Sequence, residues 1–257
     1  MGFDFLNFGN FYYRYIPKRT KSMWSTLKPI DLSKIETVQF PDDQYIKEIY
    51  PKTQIVLHHT ISGTSVNGDI SSWEGTPERV GTCIIVDRAG TPWQLFSSKY
   101  WAGHLGAGNS NLDKHSIGIE IDSWGWLILG DGTVKQFGKN PDGTPKMIYT
   151  VPGRYYTFYG NSVYVVTQYY PNGFRGYNYY EKYTEAQIRT VGELILYWNK
   201  VYGIPLTYNT GMWEVSQDAL GGKPGIWGHT SYRNASEKTD PHPQENLIEM
   251  LKTLSKL

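Results

Sequence analysis

The chain has 257 residues, which is enough for one large domain or for one domain with an appendage. Its 25 basic and 24 acidic residues give a formal net charge of +1, and this balance gives no electrostatic reason to expect nucleic-acid binding. The single cysteine, Cys83, excludes an internal disulfide framework and a cysteine-based structural zinc site, and we expect it to be a small buried side chain.

The sequence divides into an N-terminal arm and a main domain. Residues 1–50 hold many aromatic side chains without a sustained period, which predicts an extended arm packed on the domain; a separate docking element is the alternative. The main domain, residues 51–257, begins with β-branched and apolar runs that predict strands at 54–60, 82–87, 91–96 and 116–122. Because these runs are almost continuously apolar, we expect a central sheet that is covered on both faces.

The second half of the chain predicts an insertion and two closing helices. Residues 124–183 alternate glycine-containing turns with tyrosine-rich runs, which predicts a β-hairpin insertion, since disordered segments are poor in aromatic residues. Thr184 and Gln187 form a capping-box pattern, after which apolar residues continue at helical spacing, and a last helix follows Pro243. The predicted fold class is α/β, a central mixed β-sheet flanked by helices with a Tyr-rich β-hairpin insertion.

Histidines near the ends of predicted segments are the candidates for chemistry. In the first strand, His59 alternates with the apolar residues of one face, while His58 points to the other face. His229 stands among small residues just before a loop, and Asp240 follows in that loop. Two imidazoles and one carboxylate, with a fourth position left for water, form a known catalytic zinc pattern. If the strand register is shifted by one residue, His58 and His59 exchange roles.

Four short motifs occur in a defined order along the chain. They are Ile-Val-Leu-His-His-Thr at 55–60, Ser-Ile-Gly-Ile-Glu-Ile at 116–121, Gly-His at 228–229 and Lys-Thr-Asp-Pro at 238–241. In this order they resemble the type 2 N-acetylmuramoyl-L-alanine amidase family, which includes phage amidase lysozymes and peptidoglycan-recognition proteins. The resemblance implies a zinc-dependent hydrolase that cuts peptidoglycan between N-acetylmuramic acid and L-alanine.

The resemblance also implies roles for individual residues. The family's zinc ligand is the histidine immediately before threonine in the opening strand, and this corresponds to His59. His229 and Asp240 correspond to the other two ligands of Zn²⁺. Glu120 corresponds to the catalytic glutamate, which we expect to act as general base, and Lys238 to a catalytic lysine that stabilises the oxyanion.

The remaining site residues are those predicted to line a substrate groove and two that depart from the family pattern. His104 and Trp101 belong to a segment that also looks like the family, and with Trp227 they are predicted to line the substrate groove. The family commonly has glycine after Asp-Pro, where this chain has His242, a residue that could crowd the metal or supply a bond to a ligand. Some relatives carry a catalytic tyrosine where this chain has Thr82, which gives Glu120 more weight as the base.

Delivery to the cell wall needs a separate hypothesis. The N-terminus lacks the pattern of an export signal, and no run approaches the ~18 apolar residues of a membrane span. We therefore expect a phage endolysin that stays in the host cytoplasm until a holin releases it to the peptidoglycan. The alternatives are a non-catalytic peptidoglycan-binding protein, a virion-associated structural protein and an enzyme that recycles muropeptides. Neither residues 1–50 nor 124–183 are covered by the family resemblance.

Overall fold

A computed structural model describes residues 22–38, 40–63 and 65–257, and it has the predicted α/β fold with a central mixed sheet and flanking helices. The first part of the predicted arm, residues 1–21, lies outside the described residues. The strands are, in chain order, β1 (Glu36–Thr37), β2 (Gln54–His59), β3 (Ile84–Val86), β4 (Pro92–Gln94), β5 (Ser116–Ile121), β6 (Trp126–Leu129), β7 (Val134–Lys139), β8 (Pro145–Tyr149), β9 (Tyr155–Tyr156), β10 (Ser162–Val163), β11 (Thr167–Phe174), β12 (Tyr177–Glu181) and β13 (Gly225–Gly228). The α-helices are α1 (Val66–Trp73), α2 (Ser110–His115), α3 (Glu185–Tyr202), α4 (Gln217–Leu220) and α5 (Glu245–Leu254).

The central sheet has six strands in the order β1-β4-β3-β5-β2-β13. β2 lies between β5 and β13 and is parallel to both, whereas β3 and β4 form an antiparallel hairpin. Every residue of β2 and β5 is buried, as expected for strands that are covered on both faces. The register pairs His58 with Glu120 and Val56 with Trp227, and paired residues of neighbouring strands point to the same face.

One face of the sheet packs against the two long helices. α3 begins at the predicted capping box, in which Thr184 accepts from the backbone N–H of Gln187 while the Gln187 side chain accepts from the N–H of Thr184. The Gln187 amide also donates to the carbonyls of Val86 and Asp122, which ties the start of α3 to the ends of β3 and β5. α3 in turn packs against α5, so this face of the sheet is closed.

Residues 22–50 join the main body of the molecule. The Trp24 side chain is buried, and Leu27 and Ile30 belong to the same hydrophobic core as the sheet. β1 pairs with β4 at the edge of the central sheet. The boundary at residue 50 therefore remains a sequence prediction, while the described part of the arm contributes directly to the core. None of the helices in the described ranges is both long enough and apolar enough to span a bilayer.

The segment predicted as a β-hairpin insertion folds into more strands than one hairpin. β6, β9, β10, β11 and β12 form a five-stranded sheet in the order β10-β9-β6-β12-β11, and β7 pairs with β8 in a separate two-stranded ribbon. Aromatic rings hold this sheet together: Trp126 and Tyr177 stack with centroids 3.9 Å apart, and Phe158 packs edge-on against Trp126. A two-stranded hairpin alone is marginally stable, and the added strands supply the missing burial.

Candidate functional site: a buried His-His-Asp cluster

Several side chains that could do chemistry meet where three parallel strands end. His58 is near the end of β2, Glu120 is near the end of β5, and His229 follows directly after β13. The register of the sheet places His58 beside Glu120 on the face opposite the long helices. The carboxyl ends of neighbouring parallel strands form the usual position of a site in an α/β sheet.

Three side-chain atoms form a tight triangle in this position. The Nδ1 atom of His58 lies 2.8 Å from Nδ1 of His229 and 3.4 Å from Oδ2 of Asp240. The third edge, from His229 Nδ1 to Asp240 Oδ2, measures 3.0 Å. All three side chains are almost completely buried. A tetrahedral ion with bonds of about 2.0–2.2 Å keeps its ligand atoms about 3.3–3.6 Å apart, so one small cation would fit after a slight opening of the triangle.

Hydrogen bonds on the far side of His58 fix which of its ring nitrogens carries the proton. The hydroxyl of Ser116 donates to the carbonyl of Leu112, so it can only accept from Nε2 of His104, at 2.8 Å. His104 Nδ1 is then an acceptor, and it lies 3.0 Å from Nε2 of His58. His58 therefore donates through Nε2, which leaves a lone pair on the Nδ1 atom that faces the triangle.

The same reasoning applies to His229. Its Nε2 atom donates to the carbonyl of Leu105 at 2.9 Å, which leaves a lone pair on Nδ1. With both imidazoles in the neutral form that binds a metal, two lone pairs and the carboxylate of Asp240 face one another. Burial lowers the pKa of His58 to about 3, so this imidazole is neutral at pH 7. Three buried acceptors that point at one another are repulsive unless a cation lies between them, and this donor set suits zinc.

A small pocket of about 140 Å³ opens beside the cluster and is lined by Glu120 and Lys238 as well as by the three ligand candidates. The Oε2 atom of Glu120 is buried without a hydrogen-bond partner. Burial, and then the charge of Asp240, raise the pKa of Glu120 well above its usual value. A cation held by the cluster acts in the opposite direction and favours the ionised carboxylate. Both residues predicted to be catalytic thus border the pocket.

Comparison with known protein families shows which family the chain belongs to. The model of the N-acetylmuramoyl-L-alanine amidase family matches residues 50–243, which is more than half of the chain. The chain belongs to this family. No curated protein matches the sequence.

Several solved structures are similar to this chain at low sequence identity. An endolysin N-acetylmuramoyl-L-alanine amidase, LysCS from Clostridium intestinale, is 14% identical, with 87% of this chain and 95% of that chain covered and a TM-score of 0.43. The hydrolase AmiA of Staphylococcus aureus, solved in complex with its ligand, is 14% identical over 89% of this chain and 84% of its own, with a TM-score of 0.45. A selenomethionine derivative of AmpD is 14% identical, with 87% and 98% covered and a TM-score of 0.44.

The structure does not bring His59 to the cluster, and His58 stands in its place. Adjacent strand residues point to opposite faces, so only one of the two histidines can face His229. The ring of His59 lies on the helix side of the sheet, where its Nδ1 atom is 2.8 Å from the hydroxyl of Tyr183. His58 therefore takes the position predicted for His59, which is the exchange of roles expected from a one-residue shift of register.

The three residues predicted to line the groove occupy different positions in this amidase family member. Trp227 is 1% exposed and donates its indole N–H to the Lys223 carbonyl, so it is a core residue and the groove assignment is wrong. Trp101 is half-buried beside Lys114 and is not among the residues that line the 140 Å³ pocket. His104 does line this pocket, but both of its ring nitrogens are engaged, so its geometry suits orienting His58.

The two departures from the family pattern also have defined positions. His242 is fully buried, with Nδ1 at 2.8 Å from the Tyr170 hydroxyl and Nε2 at 3.0 Å from the Glu181 carbonyl. It neither crowds the triangle nor bonds to a member of it, and it packs instead near His59 on the helix side. Thr82 lines the pocket, but its hydroxyl donates to the carbonyl of Ile84. Glu120 therefore remains the residue best placed to act as a base.

Arg175, which lies between β11 and β12 in the insertion, belongs to no motif that would indicate a role at the site. Its guanidinium donates to the carbonyls of Thr230, Lys238 and Arg233 at 2.6, 2.9 and 2.8 Å, and Nε reaches the carbonyl of Trp213 at 3.3 Å. The backbone of Arg175 has a φ of 46°, which non-glycine residues rarely adopt. One side chain thus fastens the insertion to the loop that carries His229, Lys238 and Asp240.

Proposed function

We propose that this protein is a zinc-dependent N-acetylmuramoyl-L-alanine amidase, which hydrolyses the amide between N-acetylmuramic acid and the L-alanine of peptidoglycan. The observation that carries the proposal is the triangle of two imidazole lone pairs and one carboxylate, formed by His58, His229 and Asp240. Membership of the amidase family supports the choice of bond and substrate.

The chain's own residues divide the chemistry of amide hydrolysis between them. Zinc bound by two imidazoles and one carboxylate supplies the Lewis acidity that amide hydrolysis at neutral pH requires. Glu120 borders the same pocket and accepts a proton from the attacking water, then passes it to the departing amine of L-alanine. The half-buried Lys238 places a positive charge at the pocket, where it stabilises negative charge that develops on the carbonyl oxygen.

Mass spectrometry of digested peptidoglycan tests this proposal. The wild-type protein should release intact peptides that begin with L-alanine and leave glycan strands free of peptide, and Asp240→Ala should release neither. His115→Ala is a matched control, because this histidine is only half-buried, lies outside the cluster and its Nδ1 atom bonds only locally, to the carbonyl of Asn111. Release of glycan fragments that still carry peptide, or full activity of Asp240→Ala, would contradict the proposed reaction.

A non-catalytic peptidoglycan-binding protein is the second candidate, and a virion-associated structural protein is a related one. The complete set of three ligand atoms favours hydrolysis, since a binder has no need of a zinc centre. The role of a phage endolysin that waits in the host cytoplasm for a holin is a further proposal about delivery. Expression in bacterial cytoplasm with and without a holin tests it: lysis should require both proteins, and lysis without the holin would contradict this route.

A further inference from the structure

A second cavity, of about 660 Å³, lies between the insertion and the loop that carries Lys238. One wall comes from the insertion and includes Trp126, Phe158 and Tyr159, and the other includes Ser236 and Glu237. Its volume is within the range of sites that bind molecules larger than a single small ion or water cluster. The family model and the proposed catalytic residues assign no role to this cavity.

The cavity adjoins the catalytic pocket. Ile61 lines both of them, and Lys238, which lines the pocket, stands in the chain between Glu237 and Thr239, which line the cavity. A polymer whose amide bond lies at the His-His-Asp cluster would reach this neighbouring cavity by passing Ile61. We call this cavity the insertion groove.

Large apolar side chains are exposed on the insertion and form part of the groove. Phe158 is 41% exposed and Tyr159 is 49% exposed, and both lie in the turn between β9 and β10. The stacked pair of Trp126 and Tyr177 holds the neighbouring wall rigid, with the rings 10° from parallel. Clustered exposed apolar side chains on a soluble fold mark an interaction site, and rigid aromatic faces lose little conformational entropy on binding.

The charges that line the groove favour the glycan strand of peptidoglycan over its stem peptide. Arg175 is the one basic residue among those that line it, and its guanidinium is already bonded to backbone carbonyls. Glu237 is paired with Arg233 at 2.6 Å. Among the residues that the structure describes, those lining the groove therefore offer no uncommitted cation for the carboxylates of a stem peptide. Flat aromatic faces with a hydroxyl-bearing rim match the apolar faces and polar edges of pyranose rings.

We propose that the insertion groove binds the glycan strand of peptidoglycan, in the sugars next to the muramic acid whose amide is cut. This inference rests on the proposed amidase function for its substrate. It gives the insertion a second role besides fastening the loop through Arg175, because other turns and strands of the same insertion supply the aromatic wall.

Binding of a peptide-free glycan tests the proposal without hydrolysis. In full-length Asp240→Ala protein, calorimetry with tetra-N-acetylchitotetraose should show binding, and Phe158→Ala/Tyr159→Ala should weaken it by about tenfold or more, the loss expected for two stacking rings. Tyr164→Ala is the matched control, because this tyrosine is 81% exposed on the insertion but lines a different surface. A free tetrapeptide stem with L-alanine at its start should bind equally to all of these proteins.

Each alternative outcome overturns the proposal. If the oligosaccharide does not bind, or binds the double variant as well as it binds the parent, the groove does not take glycan. If the double variant loses the stem peptide instead, the groove holds peptide. Phe158 also packs edge-on against Trp126, so the melting temperature of each variant is measured alongside, and Tyr159→Ala alone, which leaves this contact in place, should also weaken binding of the oligosaccharide. The experiment needs no catalysis, so failure of the amidase proposal would appear in the wall digest and not here.

Discussion

Replacing Arg175 tests whether the insertion holds the loop that carries Lys238 and Asp240 in place, or whether it only binds substrate. Its guanidinium makes four hydrogen bonds to backbone carbonyls, and Thr230 and Lys238, which receive two of them, lie at the site. A bond from a charged donor contributes about 1.5–3 kcal/mol, and water replaces part of this because Arg175 is half-buried. We expect Arg175→Ala to lose about 2–3 kcal/mol of transition-state stabilisation in total. This loss corresponds to a fall in kcat/KM of about 30- to 150-fold.

The assay is hydrolysis of a small soluble muramoyl peptide, with kcat and KM measured separately. We expect the loss mainly in kcat, because the loop bears Lys238 and Asp240. Arg175→Lys should lose less, since an ammonium keeps the charge but cannot span the same carbonyls. Arg154→Ala is the control, because this arginine of the insertion contacts the Tyr164 ring. A value of kcat/KM for Arg175→Ala within about twofold of wild type would refute the reasoning.

Three further predictions concern buried polar side chains. Glu120→Gln should lower kcat by about 10²- to 10⁴-fold while the protein keeps its zinc and its melting temperature, and a variant with near-normal kcat would remove Glu120 from the mechanism. His104→Ala should weaken zinc binding by about 10- to 100-fold in a chelator competition, because His58 loses its orienting partner, and unchanged affinity would contradict that link. Burial raises the pKa of Asp69 to about 7, above its unfolded value, so the free energy of unfolding should fall as pH rises from about 4 to 7. Asp69→Asn should flatten this dependence in urea titrations, and an unchanged slope would exclude Asp69 as its source.

Much of the fold follows from local patterns in the sequence. The β-branched run that became β2 and the apolar run that became β5 lie at the predicted positions, because continuous burial on both faces requires such residues. The capping box at Thr184 sets the start of α3, and Gly203, with a φ of 71°, ends it. These features depend on a few neighbouring residues, and the sequence therefore contains enough information to place them.

Sequence patterns did not place those side chains whose surroundings depend on contacts between distant parts of the chain. The choice between His58 and His59 depends on which face of β2 meets β13, and two adjacent histidines give no local signal of this. Trp227 is an aromatic residue of the kind that can line a sugar-binding groove, but its position opposite Val56 in the sheet buries it. The bonds from Arg175 span 38 to 63 residues of the chain and reach backbone carbonyls, so side-chain motifs cannot reveal them.

The zinc content of two neighbouring variants tests the central claim most directly. His58→Ala and His59→Ala are to be stripped with chelator, reloaded with one equivalent of zinc, desalted and measured by elemental analysis on folded protein. Because only the Nδ1 atom of His58 faces His229 and Asp240, His59→Ala should retain about one zinc per chain and His58→Ala less than about a tenth. Retention of zinc by His58→Ala together with its loss from His59→Ala would contradict the assignment of the site.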